Sequence, residues 1–167
     1  MSQVDKFLEV AQAEVGTAEG PKENETKYDK FTKHDFQPWC GSFVMWCASQ
    51  VKLKLPNCVY TPAGVEGFKG TGNWSAAETA KPKPGDIVFF DFVKGGAAVE
   101  HVGIVLKDNA DGTITTIEGN TSPEKKTTGS QANGGEVAIR TRAYKTKNKR
   151  NAPVFVVGFG RPAFKAD

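Results

Sequence analysis

The sequence changes character at Pro84, and that change constrains the fold more than any other feature. Ahead of it, apolar residues recur at helical spacing; behind it, short apolar runs are separated by turn residues. Val4, Phe7, Leu8, Ala11 and Val15 follow an i, i+3, i+4, i+7 pattern that Gly16 stops, predicting an amphipathic helix over about residues 2 to 15. After a break at Gly20-Pro21, Thr26 to Lys33 reads as a short polar helix with Tyr28 and Phe31 turned inward. Pro38 leads into a third helix headed by Cys40, in which Phe43, Val44, Cys47, Ala48 and Val51 form one broad apolar face, ended before Pro56. Residues 56 to 84 read as loop with at most one short helix, around Pro62 to Lys69. Strands are expected over 87–92, Val102 to Lys107, Thr113 to Glu118, Glu136 to Arg142 and Val154 to Phe159. Helices first and antiparallel strands afterwards predict an α+β fold, its N-terminal helices packed on one side of a small twisted sheet or half-barrel.

With 167 residues, 38% of them hydrophobic, the chain is expected to form one domain over 1–167. A net charge of +3 suits an anionic polymer such as a decorated cell wall and falls short of a nucleic-acid footprint. Met1 to Lys6 shows no basic segment leading into an apolar one, and no apolar run reaches membrane-spanning length. Synthesis in the cytoplasm without a signal peptide, and no membrane insertion, are therefore expected. Residues 121 to 135 read as a surface loop, and the basic run from Arg140 to Arg150 as a solvated strand end and turn, with a polyanion-binding patch as the alternative.

Three cysteines, Cys40, Cys47 and Cys58, leave at least one thiol free and show no C-x-x-C spacing, against both a disulfide framework and a structural zinc site. Cys40 and Cys47 stand two turns apart on one helix, about 10 Å, too far to bridge. Cys47 is then a core residue. Cys40 is placed differently, because a thiol at a helix N-terminus meets unpaired backbone N–H groups and the positive end of the dipole, which favour its thiolate. Only two histidines, His34 and His101, are available as an imidazole base. Residues 101–106 and 116–120 flank the turn-rich segment Asp108 to Gly112 and read as a hairpin. If a four-residue loop, Asp108 to Asp111, connects them, Lys107 lies opposite Gly112 and His101 opposite Glu118, on one face. A two-residue Asp111-Gly112 turn would set His101 opposite Ser122, and the first register is preferred because it also stacks Val105 beside Ile114. Gly103, two residues after His101, lies on that face and leaves room for a helix. The result is a Cys–His–Glu relay, with the Cys40 N–H and Gln37 as candidate oxyanion donors. Each member also has an ordinary reading: a cysteine in an apolar helix is commonly structural, and a strand-end Glu is commonly solvated. His34 is an alternative base, and its place six residues before Cys40 suits a surface residue better.

Four stretches in order resemble the CHAP family, the cysteine, histidine-dependent amidohydrolases/peptidases that cut peptidoglycan. They are Trp39 to Val44 with Trp46-Cys47, Pro84 to Phe90, His101 to Val105, and Ile117 to Asn120. The resemblance implies a papain-like α+β domain in which Cys40 is the nucleophile, His101 the base, Glu118 the orienting residue and Asn120 an auxiliary site residue. Gln37 and Trp39 are candidate substrate-binding residues. Some family members bind calcium through acidic residues around the nucleophile, where this chain has Phe31, Lys33, Gln37 and Ser42, with Asp29 and Asp35 nearby; no metal and no cofactor are expected. NlpC/P60 peptidases usually carry Asp before the nucleophile and a second His as orienter, roles taken here by Trp39 and Glu118. The expectation from the resemblance is a monomeric, phage endolysin-like amidase or endopeptidase with no separate wall-binding domain, whose partner is bacterial peptidoglycan, made in a host cytoplasm and acting at the cell wall after release or delivery. The competing expectation is a non-catalytic wall-binding or structural protein on the same fold, with the basic run and Trp39 or Trp74 as its contacts.

Overall fold

A computed structural model of the chain describes residues 1–93, 99–126 and 128–166. Four helices precede the main strands: α1 (Gln3–Ala13), α2 (Lys27–Thr32), α3 (Cys40–Gln50) and α4 (Thr61–Gly70). Ser2 caps α1, accepting from the Asp5 N–H while the Asp5 carboxylate accepts from the Ser2 N–H, so two orphan donors are satisfied reciprocally. Thr26 caps α2 one way only, its hydroxyl accepting from the Asp29 N–H, and Lys33 closes the helix in the left-handed conformation. Tyr28 is buried as expected, whereas Phe31 is half exposed: on so short a helix Tyr28 alone fills the space against Trp39, Phe43 and Trp46. Val15 also lies outside α1 and is exposed.

The sheet is antiparallel and six-stranded in the order β1-β6-β2-β3-β4-β5, formed by Trp74–Ala76, Ile87–Phe90, His101–Asp108, Thr113–Thr121, Glu136–Ala143 and Val156–Gly160, numbered along the chain. The fold is α+β, as the element order predicts. β1 was not expected: three residues in a stretch rich in Gly and Pro carry no periodic signal, and pairing with β6 alone makes them a strand. Along β2, Ile87 and Phe89 enter the core beneath the helices while Val88 and Phe90 enter a second cluster on the opposite face. A strand buried on both faces explains the unbroken apolar run.

The β3–β4 register differs from the one obtained by counting. Ile104 pairs with Ile117, where a His101–Glu118 pairing would have set it opposite Thr115, and a bulge falls between Val105 and Lys107. The slip is two residues. Because side chains alternate with period two, such a slip leaves every side chain on its expected face. Glu118 accordingly lies over Gly103, where an added Cβ would come within 2.6 Å of its Cγ. The space at Gly103 is thus taken by a carboxylate rather than by a helix. The close helix approach occurs at Gly119 instead, where a Cβ would meet Phe43 of α3 at 2.7 Å.

Candidate active site

Cys40 is the first residue of α3, and no side chain caps that helix. Its first-turn N–H groups therefore stay available to a ligand. α3 packs on β3 and β4, and Cys40, His101 and Glu118 are all buried. The other two thiols are core groups: burial raises the pKa of Cys58 to about 12 and that of Cys47 further still. All three cysteines are free.

His101 opens β3, and its Nε2 donates to Glu118 Oε1 at 2.9 Å. A carboxylate acceptor assigns the Nε2 proton, leaving Nδ1 as the basic nitrogen, and Nδ1 has no hydrogen-bond partner. Complete burial opposes a charge on this ring, but the negative charge of an ionised Cys40 sulfur and then Glu118 outweigh it, raising the pKa to about 9. The imidazole is thus poised to hold a proton taken from Cys40. Phe90 and Phe92 pack against the ring with centroids 5.5 and 5.7 Å away and restrict its movement.

Glu118 accepts four hydrogen bonds: from His101, from Thr116 Oγ1 at 2.5 Å, and from Arg142 Nε at 2.9 Å and Nη2 at 2.6 Å. Burial alone would raise its pKa; the Arg142 guanidinium reverses this and holds the carboxyl well below the usual range. Arg142 is itself buried, lies 5.1 Å from both the Phe90 and Phe92 ring centroids, and donates through Nη1 to Gln131. The basic run is therefore not uniformly solvated. Its third residue is part of the buried network, a role that sequence reasoning missed. No spacing signal could have found it, because alternation with Val137 and Ile139 sets Arg142 on the polar face of the strand, where burial is not expected.

Other expected site residues are placed elsewhere. Trp39 is fully buried, stacked on Tyr28 at 5.4 Å, with its indole N–H donating to Glu19 at 2.8 Å, so its ring is not offered to a substrate. Asn120 is also buried and has a positive φ of 55° at the bulge in β4. Its amide donates to Asn133 and accepts from the Gly135 N–H, which commits it to the β4–β5 loop rather than to His101 or Glu118. In that loop, expected at the surface over 121–135, Thr121 and Ser122 are buried, and Thr127 lies outside the described residues. Gln37 is exposed before α3, and His34 is exposed with Nδ1 against the Thr32 carbonyl. Asp29 is buried between α2 and α3 without a hydrogen bond to either carboxylate oxygen. Among the described residues, no three His, Cys, Asp or Glu side chains converge as a metal site would require.

A helix-borne thiol, a strand-borne imidazole and a carboxylate behind it define a class of α+β folds that join a cysteine helix to an antiparallel sheet. A family model described as the CHAP domain matches residues 32–120, more than half of the chain, and the chain belongs to that family. No curated protein matches its sequence. Among solved structures it is similar to a protein described as similar to a lipoprotein of the NLP/P60 family, from Staphylococcus aureus, at 14% identity and a TM-score of 0.50, over 95% of this chain and 41% of that one. It is similar to Ly7917 at 17% identity and a TM-score of 0.50, over 95% of this chain and 62% of the other. The endolysin LysIME-EF1 aligns at 18% identity with a TM-score of 0.48, over 99% of this chain and 67% of that protein. The chain thus spans less than two thirds of the first and of Ly7917.

Proposed function

We propose that this chain is a cysteine amidase or endopeptidase that opens an amide bond in bacterial peptidoglycan. The observation that carries the reading is the buried His101 imidazole, bonded to Glu118 on one nitrogen and raised in basicity by the charge of an ionised Cys40 sulfur. In the proposed reaction, the Cys40 sulfur attacks the amide carbonyl carbon after passing its proton to His101 Nδ1. The tetrahedral oxyanion is met by the Cys40 backbone N–H at the open start of α3, with Gln37 as a second donor. His101 then returns the proton to the leaving amine, and water hydrolyses the thioester to restore the thiol. Glu118 keeps the imidazole in the Nε2–H form throughout, and Arg142 keeps Glu118 ionised and oriented. Membership in the CHAP family supports the wall amide as substrate.

The active unit is proposed to be residues 1–167 acting as a monomer without a metal or cofactor, in the manner of a phage endolysin reaching the wall after release. Among the described residues no helix is long and apolar enough to cross a membrane. Purified walls incubated with the protein should release new amino groups, and Cys40→Ala and His101→Ala should each abolish that release. Full activity in either variant overturns the mechanism. Mass spectrometry of the digested fragments identifies the bond, since a new N-terminal alanine and a new cross-bridge terminus differ in mass.

A further inference from the structure

Behind the Glu118–Arg142 pair, β5 and the segments before and after it line an open cavity of about 330 Å³. Arg140, Arg142 and Arg150 line it together with Glu124, and Pro153 and Phe155 supply part of an apolar wall. Its charges do not balance. Glu118 is taken by Arg142 at 2.6 Å and Glu124 by Arg150 at 3.4 Å, which leaves the third guanidinium over. Arg140 forms no ion pair among the described residues: Nη1 donates to the Ser122 carbonyl, and Nε is buried without an acceptor. Burial, and then the neighbouring charge of Arg142, make this cation less favourable than an ordinary arginine. A half-buried cation beside a cavity is stabilised by an anion entering that cavity.

The composition of the wall narrows the anion. One uncompensated positive charge calls for one negative charge, and the Pro153 and Phe155 surface has no use for a bare inorganic ion. A carboxylate carried on a small aliphatic body fits both parts. We propose that this cavity binds the free carboxylate end of a short peptide, with Arg140 as its charge partner. The inference rests on the peptide-amide substrate proposed above for the class of ligand, a short peptide with a free carboxylate. Arg142 joins the two regions, since it lines the cavity and also bonds Glu118.

The test is binding rather than turnover, so its failure and failure of the hydrolase reading are separate results. The wild-type protein is titrated with acetyl-alanyl-alanine, with the C-terminal amide of the same dipeptide, and with inorganic phosphate, while guanidinium NMR signals are followed. The free acid should bind saturably and move the Arg140 signals, and the amide should bind at least about tenfold more weakly. Arg140→Gln should weaken binding of the acid by a similar factor at an unchanged melting temperature. If that variant does not fold, Arg150→Gln serves instead: it frees the Glu124 carboxylate, which should repel the acid and weaken it measurably. Equal binding of acid and amide, phosphate binding as tight as the acid, or no change in the folded arginine variants each overturns the proposal.

Discussion

Two buried carboxylates, Asp29 between α2 and α3 and Glu118 on β4, are equally hidden from solvent but differently partnered. Glu118 accepts bonds from His101, Thr116 and Arg142, and its pKa is held low. Neither oxygen of Asp29 accepts a hydrogen bond, and burial pushes its pKa up to about 6, with the charge of Asp35 adding to the rise. Burial favours the neutral acid in both places. Only a fixed cation and a full set of donors reverse that preference; at Glu118 the cation is Arg142, and His101 and Thr116 complete the donors. The contrast separates a carboxylate built to stay ionised beside an imidazole from one whose charge the fold merely tolerates.

The largest effect should come from removing the cation. Arg142→Met leaves Glu118 buried and uncompensated, and should cost about 3–5 kcal/mol in chemical denaturation. Adding Glu118→Gln to that variant should recover part of the loss, and strictly additive losses would show that the two side chains are not coupled. Asp29→Asn should move stability the other way, by about 1–3 kcal/mol at pH 7.5 and by little at pH 4. The sign follows from the raised pKa: between about 4 and 6 the folded state binds more protons than the unfolded one, so stability falls as pH rises through that window. An equal effect of Asp29→Asn at both pH values would remove the contrast.

A third effect is the pH dependence that His101 adds on the Glu118 side. Its folded pKa of about 9 lies above the ordinary 6.5, so its contribution is complete below about 6.5 and is lost as pH rises through 9. Thermal melts of the wild type should show that decline, and His101→Gln should flatten it. The smallest effect is expected at Asp35, which is exposed and raises the Asp29 pKa through space. Asp35→Asn should lower the Asp29 midpoint by a few tenths of a pH unit, measured by carboxyl NMR titration, as befits a solvent-screened charge.

Much of the fold was legible because it rests on local periodicity. The Cys40 helix starts where Pro38 and the apolar spacing predict, and five of the six strands fall in the expected stretches. The hairpin showed that His101 and Glu118 share a face, and that conclusion survived a wrong register because the error was two residues rather than one. β1 was illegible because its only reason to be extended is a partner more than eighty residues away in sequence. Asn120 and Trp39 have residue types that suit a site, yet their partners commit them to the loop and to the core.

The sequence by itself determined the α+β order, the single helix-start thiol and the imidazole on the following strands, since these depend on residue type and short-range spacing. The tertiary structure decided which charges meet. Arg142 looks like one member of a basic run, and only the pairing of β4 with β5 brings its guanidinium onto Glu118 while leaving Arg140 beside an open cavity. Electrostatic partnership depends on distance and burial through space, and a linear spacing of charges records neither.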